Sequence, residues 1–370
     1  MLDFRTHGVV AALVLAAAVL LSAAQPWKQA AAGYTFAFPR DHASHPDFKI
    51  EWWYYTGNLD AADGRRFGYQ ITFFRIGVDR TPTNPSKWAV RDLFVTHLAV
   101  SDVRGGRYVY DQRLSRAGPG LAGAATDRYH VWNDDWTAGL DVGGRHALEA
   151  RGARIGLALT LDEGKAPAIN GVGGISQKGA QAGNASHYYS LTRMPTRGTL
   201  FLDGQTVAVT GTSWMDHEFG TSFLEAGQQG WDWLSLQLDD GRELMLYQLR
   251  RADGSRDPHS SGTIVGRDGR TRHVSAAEFS LTPAGRSFKA RSGATYPVAW
   301  RVVVPSEHLT LDVTTPLDDQ ELSSDASSGV TYWEGLVDVS GRATDTPIRG
   351  RGYLEMTGYR GSLGRVLSSP

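Results

Sequence analysis

Apolar and polar residues alternate along most of the chain after residue 33. In the segment HLTLDVTT, Leu309, Leu311 and Val313 alternate with polar residues, as expected for a strand with one buried face. The alternation also runs on both sides of Asp240-Gly241, a pair typical of tight hairpin turns, in WDWLSLQLDDGRELMLYQLR. No helical stripe exceeds about three turns. The pattern predicts an all-β protein of many short, mostly antiparallel strands.

Two segments, 51–75 and 230–250, present the same features in the same order. Each has an aromatic strand, an Asp-Gly-Arg turn and then Tyr-Gln followed by an aliphatic residue. Their separation is about half of the chain, as in a duplicated β unit, and chance similarity in Gly-rich β sequence is the alternative. Because many short strands with turn signals are typical of sandwiches and barrels, we expect two side-by-side β domains, at residues 33–205 and 206–365.

The first 32 residues differ from the rest of the chain. Arg5 precedes an apolar run from Val9 to Leu21, and small residues, among them Ser22 and Ala24, follow at a site suited to cleavage. Residues 1–32 are therefore predicted to be a signal peptide or, alternatively, an uncleaved N-terminal anchor. Either would place the folded part in the periplasm or the extracellular space, where it could associate with the membrane or with an export system.

Composition excludes several classes of function. The chain has no cysteine, which rules out disulfides and thiolate chemistry. Its 38 basic and 39 acidic residues leave a formal net charge of −1, so no electrostatic argument supports nucleic-acid binding. Hydrophobic residues make up 41% of the sequence, which is enough for a sizeable core.

Recognised metal and nucleotide motifs are also missing. HEFGT has Thr221 where the helix of a zinc protease needs its second histidine, and GVGGIS lacks the spacing of a dinucleotide-binding loop. His42 and His45 in DHASHPD could ligate a metal, but a solvated loop before the first strand is the favoured interpretation. We therefore expect no cofactor and no metal.

Residues 162–186 are mostly polar, rich in glycine and without a period. They predict a long loop, and loops of this length in compact proteins are often functional lids or binding loops. The segment leads directly into one of three stretches that carry the candidate chemistry.

Acidic, histidine and aromatic residues concentrate in EWWYY (51–55), SHYYSLTRM (186–194) and SWMDHEFG (213–220). If these stretches are strands, side chains two positions apart share a face. For each stretch, an ordinary buried or amphipathic strand is the alternative, with the carboxylate of EWWYY at the strand rim. The residues that share a face are Glu51 with Trp53, His187 with Tyr189, and Trp214 with Asp216 and Glu218, whereas His217 points away from Asp216.

The surroundings of Asp216 favour acid chemistry. A carboxyl group among tryptophans and tyrosines is desolvated, which raises its pKa and lets it hold a proton near neutral pH as a general acid. Aromatic faces beside it can stabilise a positive charge developing on carbon by about 0.5–2 kcal/mol each. Such a site suits protonation of an alkene or allylic alcohol, followed by addition or loss of water. If the site catalyses no reaction, the same aromatic surroundings would bind an apolar ligand.

Longer motifs carry a resemblance to a known family. Between about residues 34 and 360, the chain resembles the lipocalin-like, secreted branch of the carotenoid 1,2-hydratase family, the AttH-type proteins. The resemblance implies two lipocalin-like or β-sandwich-barrel domains with a pocket at their junction. The motifs are, in order, FPRDHASHPDFKIEWWYYTGNL, SHYYSLTRM, GTSWMDHEFGTS, GWDWLSLQLDDGRELMLYQLRR and GYLEMTGY.

The hydratases of that family add water across the terminal double bond of an acyclic carotenoid by acid chemistry, without a cofactor. Their motif of an aromatic residue, any residue and Asp-His matches Trp214, Asp216 and His217, with Trp in place of their usual Tyr. Their His-x-aromatic motif matches His187 and Tyr189, with Tyr in place of Trp.

Residues and resemblance together predict an exported hydratase-like enzyme for a hydrophobic, isoprenoid or lipid-like ligand. Asp216 is the expected general acid, and His187 and His217 would orient it or relay a proton. Glu51 would position water, or else Glu218, which replaces the Asn usual in the hydratases. The residues expected to line the pocket are Trp53, Tyr189, Trp214 and Trp233.

Two other functions stay open at this point. A lipocalin-like carrier would use the same polar groups to orient a ligand without changing any bond. A secreted hydrolase is the third hypothesis, although the sequence has no Ser/His/Asp arrangement with a recognisable spacing.

Overall fold

The computed structural model describes residues 26–222 and 224–362. Most of the predicted signal segment, residues 1–25, lies outside the described residues, and export stays a prediction. Within the two described ranges, no helix combines the length and the apolar character that a membrane span requires. Short 3-10 turns occur at Arg40–His42, Ala276–Glu278 and Pro305–Glu307.

A first sheet contains thirteen strands, paired antiparallel, from the N-terminal part of the chain. These strands are β1 (Ile50–Ala61), β2 (Arg66–Gly77), β3 (Asp92–Asp102), β4 (Arg107–Arg116), β5 (Ala122–Ala124), β6 (His130–Asn133), β7 (Trp136–Leu140), β8 (His146–Arg151), β9 (Ile155–Leu161), β10 (Ala168–Ile169), β11 (Ile175–Gln177), β12 (Ala185–Leu202) and β13 (Gln205–Gly220). Residues 162–186, predicted as a loop, contain the short strands β10 and β11, and both pair with β12.

A second sheet of ten strands follows, and two further strands, β19 and β20, pair with each other. The strands of this part are β14 (Gln228–Leu238), β15 (Glu243–Arg251), β16 (Ser261–Val265), β17 (Thr271–Ser275), β18 (Ser280–Pro283), β19 (Ser287–Lys289), β20 (Thr295–Pro297), β21 (Ala299–Val304), β22 (Leu309–Thr314), β23 (Glu321–Ser323), β24 (Thr331–Ala343) and β25 (Thr346–Thr357). The hairpin expected around Asp240-Gly241 is confirmed as β14 and β15.

The two sheets have corresponding strand orders. The first runs β4-β3-β2-β1-β13-β12-β9-β8-β7-β6-β5, and the second runs β17-β16-β15-β14-β25-β24-β22-β21-β18. In both, the first strand of the leading hairpin pairs with the last strand of its own sheet, β1 with β13 and β14 with β25. The similar segments 51–75 and 230–250 provide these leading hairpins, as a duplicated unit requires. Two curled, lipocalin-like antiparallel sheets confirm the expected fold class.

The chain passes from the first sheet to the second between Gly220 and Gln228. Because β13 pairs with both β1 and β12, Asp216 belongs to the first sheet. The change of sheet therefore lies C-terminal to the domain boundary drawn from the sequence at residue 205.

Each sheet encloses an apolar core, and a third cluster lies between the sheets. The first core includes Trp53 and Met215, and the second includes Leu234 and Trp300. Successive residues of β1, β12 and β13 alternate between the first core and the interface. The interface cluster includes Tyr54, Tyr188, Trp214, Trp233 and Tyr247.

One expectation and one alternative about exposure are wrong. The segment 41–47 is not a solvated loop, since Asp41 and His42 are 1% and 0% exposed. Glu51 does not lie at a strand rim, since its side chain is fully buried. The two errors have one cause, because residues of the segment fold over Glu51, where Ser44 and the backbone N–H of His45 donate hydrogen bonds to its carboxylate at 2.8 and 2.9 Å.

Candidate active site

The pairing of β13 with its neighbours decides which side chains share a face. Asp216 lies opposite Tyr54 of β1 and Ser190 of β12. His217, the next residue, lies opposite Trp53. Directly paired residues of adjacent strands point to the same side of a sheet. The Asp216 group therefore faces the second sheet, and the His217 group faces the core of the first sheet, as the alternation of SWMDHEFG predicts.

A cavity of about 410 Å³ lies between the sheets on the Asp216 side. This volume falls within the range of about 300–1,000 Å³ that is typical of small-molecule sites. Most of its wall is apolar or aromatic, and carboxyl groups from both sheets reach it. The cavity therefore combines space for a hydrophobic ligand with groups that can exchange protons. Its aromatic lining includes Trp52, Tyr54, Phe74, Trp231 and Trp233.

Asp216 accepts three hydrogen bonds from neutral donors. The donors are the Tyr188 hydroxyl, the Ser190 hydroxyl and the Trp214 indole N–H, each at 2.6 Å. Burial raises the pKa of Asp216 to about 7, although these hydrogen bonds act in the opposite direction. The Trp233 indole in turn donates to the Tyr188 hydroxyl at 3.2 Å. A carboxyl group in this state can give or take a proton near neutral pH.

Glu218, two residues further along the same face, has a cationic partner. The ammonium group of Lys178 lies 3.1 Å from its Oε1, and the Ser186 hydroxyl also donates to this oxygen. Lys178 comes from the segment that follows β11, and its side chain is 9% exposed. Burial lowers the pKa of Lys178, but Glu218 outweighs this and leaves the pKa above its ordinary value. Glu218 and Lys178 thus form a nearly buried ion pair at the cavity wall.

The second sheet contributes a pair of carboxyl groups to the same cavity. Glu334 of β24 and Glu355 of β25 are directly paired across the two strands. Burial raises the pKa of Glu355 to about 8, with the charges of Asp216 and Glu218 acting in the same direction. Burial and the charge of Glu355 raise the pKa of Glu334 well above its ordinary value. Both shifts favour the protonated, neutral form of the carboxyl group.

The opposite face of the same strands is polar but densely paired. Glu51 accepts hydrogen bonds from Arg75 Nε at 2.9 Å, His45 Nδ1 at 2.9 Å and His217 Nε2 at 3.0 Å. Burial alone would raise the pKa of Glu51, but the charge of Arg75 and these donors hold it well below its ordinary value. Burial lowers the pKa of His217 to about 4. The face carries a fixed carboxylate and a neutral imidazole.

The residues expected to form one site are therefore divided between two faces. His187 packs against the Tyr34 ring at 4.4 Å, inside the first sheet, and burial lowers its pKa. Tyr189 also points inward, and its hydroxyl lies 3.1 Å from His217 Nδ1. On the cavity side lie Asp216, Glu218, Trp214 and Trp233. On the other side lie Glu51, Trp53, His187, Tyr189 and His217.

The cavity residues that were not singled out from the sequence include Lys178, Tyr188, Glu334 and Glu355. Lys178 lies in the segment 162–186, whose length and composition predicted a binding loop. Glu355 lies within the motif GYLEMTGY, where alternation separates it from the apolar Leu354 and Met356. Glu334 had no such signal, because its position is fixed by the pairing of β24 with β25.

Comparison with known proteins agrees with this architecture. The AttH-like family profile matches residues 29–359. A protein of Nitrosomonas europaea described as AttH is 36% identical in sequence, with a TM-score of 0.81 over 90% of this chain and 99% of that chain. The search of curated proteins gives no match.

Two more distant solved structures share the fold alone. Kievitone hydratase from Nectria haematococca is 16% identical, with a TM-score of 0.68 over 90% of this chain and 96% of that one. CghA, solved with Sch210972, is 14% identical, with a TM-score of 0.51 over 85% of this chain and 90% of that one. The profile match over most of the sequence, together with the Nitrosomonas structure, identifies this chain as a member of the AttH-like family.

Proposed function

We propose that this protein is an exported, cofactor-independent hydratase for a hydrophobic, isoprenoid or lipid-like substrate held between the two sheets. The observation that carries the proposal is Asp216, a buried carboxyl group with a pKa of about 7 at the wall of a largely apolar cavity. The shared fold of kievitone hydratase, whose name describes addition of water, supports the reaction class.

Asp216 acts as the general acid. Its proton passes to one carbon of a substrate double bond, whose electron pair forms the new C–H bond and leaves a cation on the other carbon. The aromatic faces of Trp231 and Trp233 lie at the same cavity and stabilise that cation by about 0.5–2 kcal/mol each. A water-poor cavity strengthens this effect, because the charge is not screened.

Glu218 completes the reaction. Water adds to the cationic carbon, and the bound water then loses one of its two protons to the Glu218 carboxylate, which leaves an alcohol. The Lys178 ammonium group lies 3.1 Å from this carboxylate and keeps it in place. The proton gained by Glu218 then replaces the one lost by Asp216, so that the enzyme is restored. The proposed reaction uses neither His187 nor His217, because both point into the first sheet.

The test compares wild-type protein with Asp216→Asn. Squalene or geranylgeraniol is incubated with protein in ¹⁸O-labelled water, and incorporation of labelled oxygen is followed by mass spectrometry. Asp216→Asn should lower the rate by about 10²–10⁴-fold, the typical contribution of a general acid. Binding, measured by quenching of tryptophan fluorescence, should be retained.

Asp232→Asn is the matched control. Asp232 is also a fully buried strand aspartate whose pKa is raised by burial, but it pairs with Arg250 and lies outside the residues that line the cavity. Equal rates for Asp216→Asn and Asp232→Asn would contradict the proposal. Equal binding of a co-purified lipid by wild type and Asp216→Asn, with no conversion by either, would support a carrier instead.

A hydrolase is the second candidate, because of one arrangement at the cavity. Ser327 Oγ lies 3.2 Å from His97 Nε2, and the Tyr332 hydroxyl lies 2.7 Å from His97 Nδ1. Burial lowers the pKa of His97 to about 3, which makes it a weak base. Covalent labelling of wild type, but not of Ser327→Ala, by a fluorophosphonate would favour this function over hydration.

A further inference from the structure

In the part of the chain that the structure describes, three clusters of histidine and carboxylate side chains have ligand atoms close enough to share one metal ion. They differ in whether those atoms already have partners. In the cluster of His45, Glu51 and His217, hydrogen bonds among the three residues and from Arg75 occupy the ligand atoms. In the cluster of Glu225, Asp257 and His259, His259 Nδ1 is hydrogen-bonded to Asp257 at 2.8 Å. The members of the remaining cluster are His42, His146 and Glu163.

The remaining cluster has two imidazole nitrogens that make no hydrogen bond to any described residue and face one carboxylate, that of Glu163. His42 and His146 are fully buried, and within residues 26–222 and 224–362 neither Nε2 has a hydrogen-bond partner. Both atoms lie close to Glu163 Oε1, at 3.3 Å for His42 and 3.6 Å for His146. An unpaired buried polar atom is costly, so two of them beside one carboxylate require an explanation.

A second set of contacts orients the two rings. His42 Nδ1 lies 2.7 Å from the Tyr189 hydroxyl, and His146 Nδ1 lies 2.7 Å from the Tyr55 hydroxyl. With the proton on Nδ1, each ring donates to its tyrosine and turns an Nε2 lone pair toward Glu163. Histidines that bind metals are held in this way, with the other ring nitrogen hydrogen-bonded to a neighbour.

We propose that His42, His146 and Glu163 bind a divalent transition-metal ion of the zinc class, with a fourth position left for water. Zinc takes histidine and carboxylate ligands at about 2.0–2.2 Å, which in a tetrahedral site places neighbouring ligand atoms about 3.3–3.6 Å apart. The observed separations of 3.3 and 3.6 Å match this spacing. Glu163 is 38% exposed, so the site is open to solvent on the carboxylate side.

The site would join three distant parts of the chain. His42 ends the 3-10 turn at Arg40–His42, His146 begins β8, and Glu163 follows β9. The turn after Glu163 requires glycine at position 164. Gly164 has φ of +74°, and a Cβ there would lie 2.0 Å from the Arg193 carbonyl oxygen. The ion would therefore fasten the N-terminal segment and the start of the segment 162–186 to the inside of the first sheet.

The test uses full-length protein freed of metal with a chelator. Zn²⁺ is titrated against a chromophoric competitor, with Mg²⁺ as the comparison ion. We expect one Zn²⁺ per chain, no measurable Mg²⁺ binding, and visible d–d bands of four-coordinate geometry when Co²⁺ replaces Zn²⁺. The Co²⁺ spectrum needs no variant, so it tests the site even if a variant fails to fold.

Glu163→Gln is the main variant, because its partly exposed side chain can change without disturbing the core. It should weaken Zn²⁺ binding by at least about 100-fold, since loss of an outer-shell partner alone costs about 10–100-fold. His259→Gln, in the hydrogen-bonded Asp257 cluster, is the matched control and should leave the Zn²⁺ affinity unchanged. Unchanged affinity in Glu163→Gln, equal loss in His259→Gln, or no Zn²⁺ binding by wild type would overturn the proposal.

Discussion

On the two faces of β13, the pKa of a buried carboxyl group is shifted in opposite directions. On one face, Asp216 has a pKa raised to about 7, and on the other, Glu51 of the adjacent strand has a pKa well below its ordinary value. Both side chains are fully or almost fully buried, and each accepts at least three hydrogen bonds. The difference lies in the donors, because Asp216 has only neutral donors, whereas Glu51 has the guanidinium group of Arg75. The charge of the partners, and not burial, separates a carboxyl group that can exchange protons from one that holds the fold together.

The largest expected effect is the difference in unfolding free energy between variants of two buried glutamates, Glu51 and Glu334. Glu51→Gln should lower the free energy of unfolding by about 3–5 kcal/mol, because it removes the fully buried one of the two carboxylates that pair with Arg75. Glu334→Gln should cost less than about 1.5 kcal/mol, because the raised pKa of Glu334 favours its neutral form, which glutamine resembles. Urea unfolding at neutral pH measures both values. Equal losses of unfolding free energy in the two variants would show that the carboxyl groups on the two faces do not differ in charge.

The pH dependence of stability should have opposite signs on the two faces. Between its ordinary pKa of 3.8 and its folded-state pKa of about 7, Asp216 is protonated in the folded protein and ionised in the unfolded chain. Its contribution to stability is therefore present below pH 3.8 and is lost as pH rises through about 7. The lowered pKa of Glu51 gives stability that is present above pH 4.5 and is lost as pH falls.

Unfolding free energies of wild type, Asp216→Asn and Glu51→Gln measured from acid to neutral pH test these signs. Relative to wild type, Asp216→Asn should gain about 2–4 kcal/mol as pH rises from about 4 to 7. The deficit of Glu51→Gln should shrink as pH falls below 4.5. If the unfolding free energies of the two variants depended on pH in the same way, the two faces would not differ electrostatically.

The smallest expected effect compares two adjacent tyrosines of β12. Tyr188→Phe removes a donor to Asp216 and should raise the pKa of that carboxyl group by about one unit. Tyr189→Phe removes contacts to His42 and His217 and should lower the unfolding free energy by about 1–2 kcal/mol. Carboxyl ¹³C NMR of Asp216 measures the first effect, and Tyr189→Phe should leave that titration in place. A shift of equal size in both variants would mean that the faces are electrostatically connected.

Alternation along a strand accounts for what the sequence predicted well. A period of two correctly separates Asp216 from His217 and joins Trp214 to Asp216. The Asp240-Gly241 turn correctly predicts the hairpin of β14 and β15. Both inferences depend only on residues near one another in the chain, where local geometry decides the outcome.

The alternation of apolar and polar residues does not show which parts of the chain pack on each face of a strand. The sequence placed Glu51, His187 and Asp216 in one site. Separating Asp216 from the other two required the register in which β1 and β12 pair with β13. The burial of Glu51 depends on the segment 41–47, whose polar composition indicated exposure. Glu334 and Glu355 reach the cavity through pairing in a sheet whose neighbours are distant in sequence. Contacts of this kind leave no periodic signal.

The pairing of the leading hairpin with the last strand of its own sheet has a consequence for the order of folding. The first sheet cannot close until β13 has been synthesised and has found β1, and the second waits in the same way for β25. Long-range pairings of this kind are slow steps, since the loops between the partners must close first. Because β24 and β25 complete the cavity wall, Asp216 faces water until the last strands dock. Only at that moment does an ordinary aspartate become a carboxyl group able to hold its proton at neutral pH.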